Sequence, residues 1–142
     1  MTYKFLEKIS LADVAFEAKG KTLEDMLESA ALAVTNTMIK DIKKITHKIN
    51  KKVNVISDDA EKLTHDFLQE IVFLKDAKKL LFSEFKIKIK YGHKLELNAV
   101  LKGEKLNMKK HELLVDVKAV TWHKFSVKKD GNGWKAIVVL DV

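Results

Sequence analysis

The run Ile137-Val138-Val139-Leu140-Asp141-Val142 is apolar until it meets one carboxylate, and it closes the sequence. It reads as the end of a closing strand in which the Asp141 side chain stands next to the terminal carboxylate. A second lone acid, Asp13, opens an alternating strand near the other end, in Leu11-Ala12-Asp13-Val14-Ala15-Phe16-Glu17-Ala18. If these two end strands lie side by side, two or three carboxylates converge beside a hydrophobic core. Such a cluster repels itself and is costly to desolvate unless a proton or a cation is shared. A hard divalent cation is the simplest answer.

Between these two strands the pattern alternates between helix and strand periods. Gly20-Lys21-Thr22 breaks the first strand, and Thr22 with Asp25 three residues later forms a capping-box-like start. Leu23, Met26, Leu27, Ala30, Ala31, Val34 and Met38 then recur at helical spacing. Residues 45–56 alternate through Ile45, His47, Ile49, Val53 and Val55 with lysines between, as a strand does. Ser57-Asp58-Asp59 starts a second helix with Asp58 as cap and Glu61 at its third position. Its apolar stripe is Leu63, Phe67, Leu68, Ile71, Val72 and Leu74. Asp58 and Asp59 suit the helix dipole, and metal ligation is the other reading open to them.

The second half is mostly strand. Phe85, Ile87 and Ile89 alternate with lysines, Tyr91-Gly92-His93-Lys94 reads as a hairpin turn, and Leu95, Leu97, Ala99 and Leu101 continue as the partner. Residues 103–111 read as a polar connection and residues 117–127 as another strand. Asp130-Gly131-Asn132-Gly133 is a turn before the closing strand, residues 134–140. The expected architecture is α+β: one domain over residues 1–142, largely antiparallel β-sheets packed with two main helices.

Composition narrows the function classes. A chain of 142 residues with 46% apolar and 33% charged residues reads as one soluble globular domain. No apolar run reaches the about 18–20 residues of a membrane helix, and Met1-Thr2-Tyr3-Lys4-Phe5 lacks a signal-peptide core. With no cysteine there is no disulfide framework, thiolate metal site or catalytic thiol, and a cytoplasmic protein is expected. The net charge is +7, and all 27 basic residues are lysines. Lysine is a hydrated point charge without arginine's bidentate fork, which disfavours sequence-specific nucleic-acid reading. The charge favours an acidic partner or an RNA–protein assembly, and genome composition alone also produces it.

Catalytic motifs are absent. The histidines at 47, 65, 93, 111 and 123 form no HExxH-type pair, and there is no glycine-rich phosphate loop, GxSxG elbow or cysteine–histidine arrangement. His65 lies on a helix without a companion histidine. His111 and His123 flank the dense segment from Glu112 to Trp122, where each reads as a loop anchor or as a functional group. Lys118 is a solvated lysine if its neighbours by alternation, Asp116 and Val120, face solvent; on the inner face its charge would need a partner. Trp122 and Trp134 read as core or edge-strand packing ahead of base-stacking platforms.

These residues resemble the archease family. The likeness is carried by Ala12-Asp13-Val14 with Gly20-Lys21-Thr22-Leu23-Glu24, by Leu81-Phe82-Ser83-Glu84-Phe85, and by Gly103-Glu104-Lys105-Leu106 with Lys110-His111-Glu112. Val117-Lys118-Ala119-Val120-Thr121-Trp122-His123 and the closing Leu140-Asp141-Val142 complete it. The resemblance implies a protein cofactor of the RtcB-type RNA ligase of tRNA splicing, one that promotes ligase guanylylation and multiple turnover without making bonds itself. It implies a divalent cation, often calcium, held by Asp13, Asp141 and a main-chain or terminal oxygen of Val142. Lys118 becomes a candidate contact to the ligase or its nucleotide, and His123 a second partner-contact candidate. tRNA is met through the ligase; DNA and membranes are not expected partners.

Three departures accompany the likeness. The family's His-Thr before Ala-Asp is Ser10-Leu11 here, so no histidine ligand or proton shuttle is expected from that place. Its Asp-Pro is Asn107-Met108, and its usual tyrosine before His123 is Trp122. The alternative function is a chaperone-like or RNA-binding adaptor for a tRNA-modifying enzyme such as a methyltransferase, motivated by the lysine content. A stand-alone metal-dependent hydrolase is a third, disfavoured by the lack of a histidine–carboxylate constellation.

Overall fold

Thr22, two residues past the end of a strand, starts a helix: its backbone is still extended, and its hydroxyl oxygen accepts the Asp25 amide at 3.1 Å. The computed structural model describes residues 2–6 and 13–142. Leu11, Ala12 and the Ser10-Leu11 departure lie outside the described residues. In chain order the elements are β1 (Thr2–Phe5), β2 (Asp13–Gly20), α1 (Leu23–Met38), a 3-10 turn (Ile42–Lys44), β3 (Ile49–Ser57) and α2 (Ala60–Lys78). They continue with β4 (Leu80–Tyr91), β5 (Leu95–Lys105), β6 (Ala119–Val120), β7 (Ser126–Asp130) and β8 (Gly133–Asp141).

Two antiparallel sheets result. One runs β1-β2-β8-β6, with β7 also paired to β8; the other runs β3-β5-β4. Both helices touch both sheets. That middle position explains why α1 buries residues nearly all round its circumference, from Leu23 and Met26 to Ala33, Thr35 and Thr37. Phe16 and Val138 from the first sheet meet Phe67 of α2 and Phe82 and Phe85 of β4 in one continuous core. The expected α+β domain of two helices and antiparallel sheets is the one observed.

Boundaries differ in four places. Asp41 caps the 3-10 turn by accepting the Lys43 amide at 3.0 Å, so Ile45 and His47 precede the strand instead of joining it. The cap of α2 is Asp59, which accepts the Lys62 amide at 2.8 Å, while Asp58 pairs with Lys94 at 3.7 Å. β5 continues through Gly103 to Lys105. A Cβ at Gly103 would lie 1.8 Å from the Leu81 carbonyl oxygen, beside the register shift between Phe82 and Glu84, so only glycine fits there.

The expected strand over residues 117–127 is interrupted. Residues 122–125 form a turn closed by the Phe125 amide on the Trp122 carbonyl at 3.2 Å, with Lys124 left-handed at φ 54°. The turn after β7 forms as read: Asp130 pairs with Gly133, and Gly131 takes φ 61°.

Candidate functional site

Antiparallel pairing of β2 with β8 sets Asp13 directly opposite Asp141, followed by Val14 opposite Leu140 and Phe16 opposite Val138. Cross-strand partners share a face, with Cβ atoms about 4.5–5.5 Å apart. Phe16, Val138 and Leu140 point into the core, so the two aspartates stand on the opposite face of the sheet, both half-buried. Val142 alternates back and packs against the core. Like charges facing each other across strands are destabilising, and a positive counter-charge offsets that.

On the other side of Asp141 lies Ala119, its partner in β6. Ala119 contributes only a methyl group beside Asp141. The Lys118 amide donates to the Asp141 carbonyl at 2.8 Å, and the Thr121 amide and hydroxyl both donate to Val139 at 3.0 and 2.9 Å. The Lys118 side chain is exposed beside this junction, although Val120, its neighbour by alternation, is buried. His123 is exposed on the turn between β6 and β7.

A strand of two residues needs outside support, and α2 supplies it. Buried His65 presents Nε2 to the Val120 carbonyl at 2.8 Å, which requires the hydrogen on Nε2, and Gln69 accepts the Val120 amide at 2.9 Å. The Trp122 ring stacks on His65 with centroids 3.8 Å apart and planes 9° apart, and Phe125 meets His65 edge-on. Trp122 is 55% exposed, so the core reading of this tryptophan is corrected: one ring face packs on His65 and the remainder meets solvent. Trp134 is half-buried, with the Lys129 ammonium 5.0 Å from its ring. A histidine and a glutamine four residues apart on one helix face carried the signal for this clamp.

Two further networks hold the connection between β5 and β6. The Lys75 ammonium donates to the Val117 carbonyl at 2.9 Å and pairs with Asp76 and Asp116. Burial alone would lower the Lys75 pKa, but hydrogen bonds to Asp116 and Asp76 outweigh it and raise it. In the connection read as merely polar, His111 is fully buried. Its Nδ1 accepts the Asn107 amide at 3.0 Å, so Nε2 donates to Glu104 at 2.9 Å. Glu104 also accepts the Thr46 amide and hydroxyl at 2.9 and 2.8 Å and the Lys110 ammonium at 2.7 Å. Burial pushes the Glu104 carboxyl up, yet these donors outweigh it and hold it well below the usual carboxylate range. His111 is thus an anchor of its loop.

The donor set of the aspartate pair suits a hard cation. Two carboxylates supply oxygen ligands, and a Val142 main-chain oxygen is adjacent in sequence. The Asp141 carbonyl already accepts the Lys118 amide. Among the described residues no group of three or more His, Cys, Asp or Glu side chains is gathered, so any cation here would draw its remaining ligands from water or a partner. Asp59 is engaged as a helix cap, as its dipole reading has it.

Fold and site define a small α+β domain with an acidic cross-strand pair at the rim of its larger sheet. No helix among the described residues is long and apolar enough to cross a membrane. The family model described as Archease protein family (MTH1598/TM1083) matches residues 3–142, and the chain belongs to that family. It is 34% identical to the protein archease of Methanosarcina barkeri over 99% of this chain and 95% of that one. With the protein archease of Pyrococcus furiosus the identity is 35%, over 92% and 93% of the two chains. The solution structure of Methanobacterium thermoautotrophicum protein 1598 superposes with a TM-score of 0.86 at 34% identity, covering 99% and 98%. A Thermotoga maritima structure described as an archease, possible chaperone, shares the fold with a TM-score of 0.63 at 23% identity, covering 96% and 97%.

Proposed function

We propose that this protein activates an RtcB-type RNA ligase in tRNA splicing, as a cytoplasmic protein cofactor that promotes ligase guanylylation and multiple turnover and is not itself an enzyme. Asp13, Asp141 and a Val142 oxygen would hold a divalent cation, calcium by preference for oxygen-rich sites with open positions. The cation would supply positive charge beside the anionic oxygens of a phosphoryl group during guanylyl transfer. The chain's own part is to present the two carboxylates from paired strands, keep Ala119 small beside them and hold Lys118 at the junction. Lys118 and His123, both exposed, would contact the ligase or its nucleotide.

The observation that supports this reading is the register of Asp13 opposite Asp141 in a chain of the archease family. A ligase turnover assay with and without the protein, across divalent metals, tests it. Asp13→Ala and Asp141→Ala are expected to abolish stimulation while retaining the native circular-dichroism spectrum. Full stimulation by either variant would remove the proposal.

A further inference from the structure

Residues 117–122 are held along their main chain from two sides. Lys75, His65 and Gln69 of α2 bond Val117 and Val120, while the Lys118 and Thr121 amides bond β8. This frame ends in Trp122, whose indole the core does not use. A lone exposed apolar side chain is ordinary on a protein surface. Trp122 differs in three respects.

Its orientation is fixed. One ring face lies on His65, with centroids 3.8 Å apart and planes 9° from parallel. The Phe125 centroid is 5.3 Å from both His65 and Trp122, with its plane steep to each, so Phe125 stands beside the stack and not beyond it. The far face of the indole is therefore uncovered, and the residue is 55% exposed. Second, the stack is not arranged for stability alone. His65 Nδ1 is buried without a hydrogen-bond partner, and Asp66 stands 3.9 Å away, beyond hydrogen-bond reach. A smaller side chain at 122 would let water satisfy that atom. Third, its neighbours in the chain are unpaired cations. Lys118 and Lys124 are exposed and form no ion pair among the described residues, while the nearby acid Asp66 is held by Lys62 at 2.6 Å.

Shape selects the partner. A small molecule needs a concave site that buries most of its surface, and one flat, outward ring supplies none. Single-stranded nucleic acid is gripped by aromatic platforms on which successive bases stack. Here one ring is offered, since Phe125 is 8% exposed and His65 lies underneath. A rigid tryptophan is a common centre of protein–protein contacts, because little side-chain entropy is lost when it enters a pocket.

We propose that Trp122 is the docking anchor for a partner protein, its open face entering an apolar slot whose acidic rim meets Lys118 and Lys124. The partner is the ligase named above, and the inference rests on that reading. Trp122 supplies affinity, and the Asp13–Asp141 pair acts on the ligase once it is bound.

Isothermal titration calorimetry of the full chain against an RtcB-type ligase, run beside the stimulation assay, tests it. Trp122→Ala is expected to weaken binding at least about tenfold, with an unchanged circular-dichroism spectrum and with stimulation restored at saturating concentration. Trp122→Tyr, which keeps a flat ring for His65, should retain most of the affinity, and Trp134→Phe should bind like the parent. Asp13→Ala should bind like the parent yet fail to stimulate. Parent-like affinity in Trp122→Ala would overturn the anchor and leave activation standing, whereas a ligase bound through Trp122 but not stimulated would do the reverse. A parent that binds no ligase would overturn the anchor. So would single-stranded RNA of mixed sequence that the parent binds alone and Trp122→Ala does not, which would assign the ring to nucleic acid.

Discussion

Asp141 receives the Lys118 amide on its carbonyl at 2.8 Å while its side chain stands opposite Asp13, so one residue joins the acidic pair to the segment that carries the exposed lysine.

Calcium should stabilise the protein through this pair. Opposed like charges cost roughly 0.2–1 kcal/mol in cross-strand positions, and a shared cation reverses the sign. Thermal melts with millimolar calcium are expected to show a higher Tm than melts with chelator. In Asp13→Asn and Asp141→Asn the calcium shift should vanish. A parent protein indifferent to calcium, magnesium and manganese would rule out the cation.

Replacing His65 by Ala removes the donor to Val120 and the stacking partner of Trp122, at an expected cost of about 1–3 kcal/mol. The effect should be local as well as global. Amide hydrogen exchange is expected to accelerate at Lys118 and Thr121, whose amides close the β6 contacts to β8, before it does in β4 and β5. Uniform acceleration across the molecule would mean that the clamp is ordinary core packing.

Glu104 makes the protein acid-sensitive with a defined sign. Its folded carboxyl lies below its unfolded value near 4.5, so its contribution is present at neutral pH and is lost as pH falls below that value towards the folded one. Urea midpoints should decline below about pH 5 in the parent. Glu104→Ala strips Lys110, His111 and Thr46 of their acceptor, at an expected cost of about 3–5 kcal/mol at pH 7, and should flatten the acid dependence. An unchanged acid profile in that variant would refute the assignment.

At the alkaline end, Tyr91 donates to Glu24 at 2.8 Å, and burial together with that hydrogen bond pushes its phenol up to about 12. The neutral form is the one favoured in the folded state. Its contribution is therefore complete below the ordinary value of 10.0 and disappears as pH rises from there towards 12. Ultraviolet titration should find no tyrosine ionising at its ordinary value, since burial raises Tyr3 as well. Tyr91→Phe should remove the transition near 12.

Much of this fold is legible because its signals are local. Thr22 and Asp25 announce the first helix, Tyr91 to Leu95 and Asp130 to Gly133 announce hairpins, and the apolar runs beginning at Asp13 and ending at Asp141 match in length and polarity when laid antiparallel. The errors arise where a distant partner decides. Ile45 and His47 alternate like strand residues, yet Asp41 caps a turn and Ser83 bonds His47 at 2.9 Å. Trp122 has the size of a core residue, but its partner His65 lies on another element and leaves half of the indole in water. His111 sits among polar neighbours in sequence and is buried because Glu104 is there to receive it. Periodicity could not have indicated the left-handed Lys124 that divides the expected long strand.

β8 has a further consequence through its neighbours. It is central to its sheet, bordered by β2 on one edge and by β6 and β7 on the other. The β4–β5 and β7–β8 hairpins close over short loops, whereas the β2–β8 ladder must bring Asp13 to Asp141 from opposite ends of the described chain. Pairings of such long range are entropically delayed and form after the local ones. By that ordering the two carboxylates would meet late in folding, and a partner that recognised them would distinguish finished molecules from folding intermediates.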